Sequence, residues 1–379
     1  MTNWESSKNI LCILPANIGD LIMTGPALRA LKESFGAQIT VVVSPKSGDI
    51  AKNMPEVDDI VIFDLPWVKV YDNKETTDIN YLVEELKRRN FDAVVIFTMY
   101  NQNPAPAALL CYLAGIPRRL AYCREDPHQL LTDWIPDREP EWDADREHYS
   151  FIKHQVKRNL DLVKTVNAVS GCERFALKKN EESWPNIKNK LVSIGVDIDG
   201  KWILMHPGVN DEKREYPIDK WIDAGREIIE EFDCQVIFIG SSDEKAVTDY
   251  LRDNTGVHSY SAAGLFNPSE FVLLIDRSPL VISVNAGTIH IASAVSTPVV
   301  VLYALTNPQH APWRSPCKVL KFRNPENLQH KNEVTRFAND QMFKEQKEMP
   351  SPNDILKAAW ELLKYTSPEF VEPTLKHVG

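Results

Sequence analysis

Residues suited to anion binding stand in one stretch of the sequence, from Leu280 to Ala304. An apolar run, Leu280 to Val284, ends abruptly at Asn285-Ala286-Gly287 and is followed by a short segment of small residues, Thr288 to Val295. A second apolar run then extends from Val299 to Tyr303. This order predicts a strand, a tight glycine turn, a helix and a second strand, which together make one βαβ unit.

A βαβ unit binds its ligand at the carboxyl end of the first strand, against the amino end of the helix. Unpaired backbone N–H groups and the helix dipole favour an anion there. His290 lies three residues beyond Gly287, within the first helical turn, so its imidazole could reach the same anion. A buried βαβ unit with a capping Asn and a packed His explains these residues equally well, and both interpretations stay open from this stretch alone.

A carboxylate follows the first predicted strand. The apolar run Ile10 to Leu14 leads into the loop Pro15-Ala16-Asn17-Ile18-Gly19-Asp20, and a helix is predicted from Leu21 to Ser34. Asp is a good helix N-cap residue, so capping is one interpretation of Asp20.

Composition sets the protein class. The 379 residues are comfortable for two domains, and 43% hydrophobic with 25% charged residues is typical of a soluble globular protein. A formal net charge of −10 argues against a nucleic-acid-binding protein. Of two local basic clusters, Lys87-Arg88-Arg89 is interpreted as a solvated face, whereas Arg118-Arg119 could meet an acidic substrate.

Cysteine usage and hydropathy predict the compartment. The six cysteines are scattered and include no C-x-x-C pair, so neither a disulfide framework nor a zinc site is indicated. No apolar stretch approaches the roughly 20 residues that span a bilayer, and the amino terminus lacks the apolar core of a signal peptide. We expect a cytoplasmic protein.

Strands alternate with helices in both halves of the chain, which predicts two parallel sheets covered by helices. Asp126 to Asp145 is interpreted as a loop, and the polar segment Phe175 to Val192 as an interdomain linker. We therefore predict α/β architecture with Rossmann-like, doubly wound domains at 1–178 and 179–379, facing across a cleft where ligands normally bind. The predicted strands are Ile10 to Leu14, Ile39 to Val43, Val57 to Phe63, Ala93 to Phe97, Trp202 to Met205, Val236 to Ile239, Leu280 to Val284 and Val299 to Tyr303.

Six segments, taken in order, resemble the signatures of glycosyltransferase family nine, the lipopolysaccharide heptosyltransferase family. The resemblance extends from Ile10 to about Tyr303, and its strength lies in the order and spacing of motifs that are individually weak. A generic Rossmann dehydrogenase is disfavoured because no G-x-G-x-x-G follows the first strand of either half. The segments are NIGDLIMTGPALRALK (Asn17 to Lys32), HQVKRNLDLV (His154 to Val163), HPGVNDEKREYPIDKW (His206 to Trp221), IGSSDEK (Ile239 to Lys245), Ser261 to Phe271 and NAGTIHIASAVSTPVVVLY (Asn285 to Tyr303).

The resemblance implies the GT-B fold, with acceptor binding in the N-terminal domain and nucleotide-sugar binding in the C-terminal domain. It also implies an inverting reaction without a metal or another cofactor, ADP-heptose as the default donor, and a glycolipid or other glycan as acceptor. A closing helix, Pro352 to Tyr365, can return to the N-terminal domain in this fold. The expected location is the cytoplasm, with at most peripheral contact with the inner face of the cytoplasmic membrane.

Donor-binding roles follow from the resemblance residue by residue. Backbone N–H groups at Gly287 and Thr288, with His290 and one cation, would stabilise the departing diphosphate. The cation is Lys213 or Arg214, since an extra residue in this segment leaves the register open.

Glu244 and Asp20 each keep two interpretations. Glu244 would bind the ribose hydroxyls, while its alternative is a first-turn acid that favours the helix dipole. The resemblance implies Asp20 as general base toward the acceptor hydroxyl, with helix capping as the alternative. The implied acceptor-binding residues are Asn17, Gly19, Arg118 and Arg119.

This chain departs from the family pattern at one point of the donor loop. Asn285-Ala286 stands where the family prefers Asp-Thr, which removes a carboxylate and a hydroxyl. Thr288 could supply the missing hydroxyl. The change keeps two further functions open beside sugar transfer, a GT-B nucleotide-sugar epimerase or hydrolase and a catalytically silent sugar-nucleotide-binding protein.

Overall fold

The computed structural model describes residues 3–14, 17–68, 78–99, 102–137, 153–209, 211–304, 308–323 and 348–367. The chain divides into two compact units, Met1–Lys178 and Lys179–Gly379. None of the helices in these ranges combines the length and the hydropathy needed to cross a membrane.

The first unit is built on a parallel six-stranded sheet with the order β3-β2-β1-β4-β5-β6. Its strands are β1 (Asn9–Ile13), β2 (Gln38–Val43), β3 (Asp59–Ile62), β4 (Ala93–Ile96), β5 (Arg118–Cys123) and β6 (Asp133–Pro136). Its helices are α1 (Ile18–Phe35), α2 (Gly48–Lys52), α3 (Ile79–Arg89), α4 (Ala105–Leu113) and α5 (Gln155–Lys164). The central strands are apolar on both faces, as a sheet covered by helices on both sides requires.

The second unit repeats this plan with the strand order β12-β11-β10-β7-β8-β9. Its strands are β7 (Trp202–His206), β8 (Gln235–Phe238), β9 (Ser259–Ser261), β10 (Val281–Val284), β11 (Val299–Ala304) and β12 (Cys317–Phe322). Its helices are α6 (Trp184–Ser193), α7 (Ile218–Phe232), α8 (Lys245–Thr255), α9 (Pro268–Arg277), α10 (Gly287–Val295) and α11 (Pro352–Thr366). Two doubly wound α/β sheets confirm the predicted fold class.

Each sheet has one point at which the direction of strand addition reverses. In the first unit the reversal falls between β1 and β4, and in the second between β7 and β10. Loops leave the carboxyl ends of two adjacent strands in opposite directions there, which opens the crevice in which open α/β sheets bind ligands. These two switch points locate the residues considered below.

Several elements differ from the sequence prediction. The polar strands β5, β6, β9 and β12 were not predicted, and β6 lies in the segment interpreted as a loop. The predicted linker is wrong in its second half, because α6 occupies it with Ile187 and Leu191 fully buried. Helix α11, predicted as a closing helix, packs on α7, β11 and β12 of the second unit.

Candidate functional site

The carboxyl ends of β7 and β10 meet at the switch point of the second unit. His206, the last residue of β7, stands opposite Ser283 of β10 in the parallel register. Helix α10 begins at Gly287, immediately after the turn that ends β10. Its N-cap residue is Ala286, in an extended conformation (φ −116°, ψ 178°), whose methyl side chain makes no capping hydrogen bond. The backbone N–H groups of the first turn are thus available to an anion.

The side chains of the first turn of α10 are buried. Thr288 and His290 both point into the interior of the unit, and Asn285 before them is buried as well. Because the N-cap is Ala286, Asn285 is not the capping residue considered from the sequence. The turn therefore presents main-chain donors at its amino end, with a hydroxyl and an imidazole packed beneath.

Arg214 is the cation that reaches this turn. It ends a short 3₁₀ helix, Glu212–Arg214, and its Nη1 donates to the carbonyl oxygen of Asn285 at 3.0 Å. Its Nε is buried without a hydrogen-bond acceptor among the residues that the structure describes. Tyr303 lies beside Arg214 and Asn285. Burial raises the pKa of Tyr303, and the charge of Arg214 and a hydrogen bond with Asn285 partly oppose this rise.

Lys213, the alternative cation, is engaged elsewhere. Its Nζ lies 2.7 Å from Oδ2 of Asp211, in an ion pair on the loop itself. Burial raises the pKa of Asp211, but the hydrogen bond and charge of Lys213 outweigh burial and lower that pKa overall. Of the two cations left open by the sequence, Arg214 is therefore the one that contacts the α10 turn in this structure.

His206 joins the turn of α10 to Glu244. Its Nδ1 lies 3.1 Å from Oγ1 of Thr288 and 3.4 Å from Oγ of Ser283, and its Nε2 lies 3.5 Å from Oε2 of Glu244. No role for His206 was predicted from the sequence. The available signal was its position, since it is the residue on which an apolar strand ends before Pro207-Gly208.

Glu244 lies at the carboxyl end of β8, where glycines make room for it. Its Oε2 accepts the backbone N–H of Ser241 at 2.6 Å and lies 3.1 Å from the Ser241 hydroxyl, forming a capping box. A Cβ atom on Gly208 would stand only 1.9 Å from Oε1, and one on Gly240 only 2.6 Å from Oε2. Glu244 thus lies in the first turn at the helix end, as its alternative interpretation has it. Its Oε1 is the oxygen turned toward the Gly208 loop.

In the first unit, Asp20 occupies the corresponding switch point. Helix α1 begins at Ile18 with Asn17 as its N-cap residue, so Asp20 is the third helical residue rather than the cap. Only 4% of Asp20 is exposed. Its carboxylate is therefore held on the first turn of α1, just beyond the carboxyl end of β1, with Asn17 exposed and Gly19 half-buried beside it.

Comparison with known proteins identifies the family. Residues 79–341 match the sequence model of glycosyltransferase family 9 (heptosyltransferase). The chain belongs to glycosyltransferase family 9. This family 9 member is 23% identical over 312 residues to lipopolysaccharide heptosyltransferase 2 of Escherichia coli, which covers 80% of this chain and 84% of that protein.

Solved structures agree on the fold of this family 9 enzyme. A family 9 glycosyl transferase from Veillonella parvula superposes with a TM-score of 0.73 at 17% identity, covering 96% of this chain and 98% of the other. The E. coli ADP-heptose lipopolysaccharide heptosyltransferase II gives a TM-score of 0.69 at 19% identity, covering 94% and 98%. The GT-B fold predicted from the sequence is thereby confirmed, and the family match confirms the predicted glycosyltransferase class.

Arg118 and Arg119 of the family 9 enzyme lie apart from Asp20, and their role in acceptor binding stays a prediction. They begin β5, whereas Asp20 follows the carboxyl end of β1. Because the strands are parallel, the two arginines lie at the amino ends of the strands and Asp20 lies at the carboxyl ends. Arg118 donates to the carbonyl of Asp92 and the hydroxyl of Ser6. Arg119, 8% exposed, donates to the carbonyls of Ile116, Gln129 and Leu130, so both guanidinium groups brace the strand ends.

The Glu244 network of the family 9 enzyme predicts a specific acid sensitivity. Burial raises the pKa of Glu244, but the hydrogen bond and charge of His206, with bonds from Ser241, lower it from 4.5 to about 2. A carboxyl whose pKa is lowered by folding stabilises the protein above the unfolded pKa, and this contribution disappears as pH falls toward the folded pKa.

The free energy of unfolding of the wild type should fall between pH 4.5 and about 2, and we expect Glu244→Gln to lose less of it over this range. The difference between the two proteins should be at most about 3 kcal/mol. Denaturant unfolding followed by circular dichroism across this pH range measures it. Glu182→Gln, at an exposed glutamate of the same unit, is the matched control and should keep the wild-type slope. Parallel slopes for wild type and Glu244→Gln would show that the Glu244 network does not stabilise the fold.

Proposed function

We propose that this glycosyltransferase moves a heptose or a closely related sugar from a nucleoside diphosphate donor to a lipopolysaccharide-type glycan, with inversion at the anomeric carbon and without a metal ion. ADP-heptose is the expected donor, in keeping with the names of the E. coli relatives. The observation that carries the proposal is the α10 turn, where uncapped helix N–H groups and the Arg214 guanidinium come together at the switch point.

The diphosphate of the donor would bind at the amino end of α10. Backbone N–H groups of Gly287 and Thr288 point toward an anion in this position, and the helix dipole favours it. Arg214 adds a full positive charge beside the turn, and its buried Nε–H has no acceptor within the described part of the chain. Charge develops on the diphosphate as the sugar leaves, and fixed donors in a buried position stabilise such charge without a metal ion.

The hydroxyl and imidazole beneath the turn would support the same anion. Thr288 compensates for the missing hydroxyl at Ala286, because its Oγ1 lies on the same turn and is oriented by His206. Glu244 would meet the ribose through Oε1, since Oε2 is occupied by Ser241 and His206. The buried His290 completes the group by contributing a further polar ring beneath the phosphates.

The acceptor hydroxyl would lose its proton to Asp20. In the proposed step the acceptor oxygen bonds to the anomeric carbon, and the bond from that carbon to the diphosphate oxygen breaks with its electron pair. The nucleoside diphosphate leaves with the electrons, the carboxylate of Asp20 takes the proton, and attack opposite the leaving group inverts the anomeric configuration. Asn17 and Gly19 are the neighbouring residues that we assign to acceptor binding.

A lipopolysaccharide-type acceptor also defines where the enzyme works. Its lipid moiety is anchored in the cytoplasmic membrane, so the enzyme would act from the cytoplasm in peripheral contact with the inner face. We assign no cofactor besides the nucleotide-sugar substrate.

A nucleotide-sugar panel tests the donor assignment. Wild-type protein is heated with ADP-, GDP- and UDP-sugars, and a bound nucleotide stabilises the fold by about 2.7 kcal/mol at a hundredfold excess over its dissociation constant. We expect the largest rise in melting temperature with ADP-heptose. A larger rise with a GDP- or UDP-sugar would show that the donor carries guanine or uracil rather than adenine. No rise with any of them would contradict a donor site at the α10 turn.

A further inference from the structure

The helix turn that carries Asp20 is weakly helical by sequence. Glycines occupy positions 19 and 25 of α1, and Pro26 lies inside the helix. Glycine lowers helix stability because it costs more backbone entropy, and proline has no N–H to donate to the carbonyl four residues earlier, here that of Ile22. Local propensity alone therefore does not fix the position of the Asp20 carboxylate, and a tertiary contact must do so.

Thr24 provides that contact from within the helix. Its hydroxyl donates to the carbonyl oxygen of Asp20 at 2.8 Å, and it accepts a hydrogen bond from Nδ2 of Asn159 at 3.1 Å. Thr24 is 1% exposed and Asn159 3% exposed, so water does not compete for either bond. The single hydroxyl thus ties the backbone of Asp20 to helix α5.

Helix α5 is in turn anchored to the carboxyl edge of the sheet. Gln155 donates from Nε2 to Oδ1 of Asn159 at 2.9 Å and to the carbonyl of Thr98, just beyond β4, at 3.3 Å. Arg158 donates to the same carbonyl at 3.2 Å and forms two bonds of 2.8 Å with the carboxylate of Asp137, directly after β6. A two-point Arg–carboxylate pair in a buried setting gives a fixed geometry.

The polar residues lie on a part of α5 that an ordinary core would fill with apolar side chains. Val156, Leu162 and Val163 form the buried apolar part of this helix, whereas Gln155, Arg158 and Asn159 are equally buried but polar. Buried polar networks are costly unless every bond is made, and they fix geometry more sharply than apolar contacts do. The bonds of this network lead from the strand ends to the turn of Asp20.

We propose that Asn159, acting through Thr24, is a positioning residue that holds Asp20 in its reactive place on α1. This inference rests on the proposed function, in which Asp20 is the general base. Asn159 itself touches no reacting atom in this account. Its role is to fix the first turn of α1 against the edge of the sheet that carries the acceptor.

The test compares a variant of Thr24 that removes the hydroxyl with one that keeps it. Thr24→Val removes the hydroxyl, and we expect kcat to fall about 10- to 100-fold, because small displacements of catalytic groups have effects of this size. The dissociation constant for the nucleotide sugar should stay unchanged, since the proposed donor residues lie in the other unit. Thr24→Ser keeps the hydroxyl and should recover most of the rate. Asn159→Asp, which replaces the donating amide by an acceptor, should behave like Thr24→Val.

A double substitution separates positioning from a merely structural role. In the Asp20→Asn background, Thr24→Val should cause no further loss of kcat, because there is no base left to misplace. Thr165→Val, which removes a hydroxyl bonded to the carbonyl of Leu162 at the other end of α5, is the control and should leave kcat unchanged. Thr24→Ala combined with Asn159→Ala removes both partners of the Thr24–Asn159 bond and leaves Gln155 its bond to the carbonyl of Thr98, so it replaces the single variants if these fail to fold.

Three results would overturn the inference. Wild-type kcat in folded Thr24→Val or in the double alanine variant would show that the network does not position the base. An equal loss of kcat in the wild-type and Asp20→Asn backgrounds would assign the network a structural role only. Full activity of Asp20→Asn would instead contradict the proposed base itself, so failure of the inference and failure of the proposed function are distinguishable.

Discussion

Replacing Asp20 by Asn is expected to lower turnover by roughly two to four orders of magnitude, the usual contribution of a general base. The amide keeps the size of the carboxylate and one of its oxygens but does not accept the proton. Helix α1 begins with Asn17 as N-cap, so the substitution does not remove a helix cap. The dissociation constant for the nucleotide sugar should change little, because Arg214 and the α10 turn belong to the second unit.

Steady-state transfer kinetics and calorimetric titration with the donor measure these two quantities. Asp49→Asn is the matched control, because Asp49 is also a first-turn acid of a helix in the first unit but is well exposed, with 59% of its side chain accessible. It should leave both quantities unchanged. If Asp20→Asn retains most of its activity, the carboxylate is not the base, and the interpretation of Asp20 as a structural residue of α1 replaces ours.

Replacing Arg214 by Ala should weaken donor binding by about 10- to 150-fold. This range corresponds to the roughly 1.5–3 kcal/mol that a hydrogen bond with a charged partner contributes. Turnover should fall as well, because the same charge would stabilise the departing diphosphate. Arg214→Lys keeps the charge but not the fork of donors, so it should recover part of the affinity. Titration with ADP and with the intact nucleotide sugar measures both effects.

Lys213→Ala is the neighbouring comparison, since that lysine pairs with Asp211 rather than with the α10 turn. We expect a much smaller change in donor affinity from it. A larger loss of affinity in Lys213→Ala than in Arg214→Ala would mean that the loop rearranges on binding and that Lys213 is the phosphate cation. Thermal unfolding without ligand measures how far Arg214→Ala destabilises the protein. This loss of stability must be small for the comparison of the two variants to hold.

The sequence sufficed for the fold where the strands are apolar. Runs such as Ile10 to Leu14 and Val299 to Tyr303 are buried on both faces and could be read directly as central strands of parallel sheets. Strands β6 and β9 contain Asp133 or serines and lie at the edges of their sheets, where one neighbour is missing and apolar composition is not required. Helix α6 was mistaken for linker because only two of its residues are buried.

The parts of the site that come directly after one recognisable strand could be predicted from the sequence. The turn after β10 is recognisable because an apolar run stops at Asn285-Ala286-Gly287, and the resemblance to family 9 pointed to the same turn. Sequence spacing does not reveal that Arg214, rather than Lys213, contacts the carbonyl of Asn285. His206 was missed because its partners, Glu244 and Thr288, come from two distant loops that only the sheet brings together.

The position of Arg118 and Arg119 was not predicted, for a similar reason. Two adjacent arginines suggested an anion site, but the strand that they begin was not predicted from the sequence. The start of a parallel strand lies at the edge opposite the ligand-binding crevice, so their position in β5 places them away from Asp20. Recognition of β5 would have predicted this separation from Asp20 without any knowledge of their contacts.

The most direct test of the central claim is transfer with product analysis. Wild-type enzyme and Asp20→Asn are incubated with ADP-heptose and a lipopolysaccharide core acceptor in the presence of a metal chelator, and ADP and the acceptor mass are followed together. We predict that wild type releases one ADP for each heptosyl unit added to the acceptor, with inverted anomeric configuration by nuclear magnetic resonance, and that Asp20→Asn adds almost none. Release of ADP without any gain in acceptor mass, or no consumption of ADP-heptose by wild type, would contradict the account.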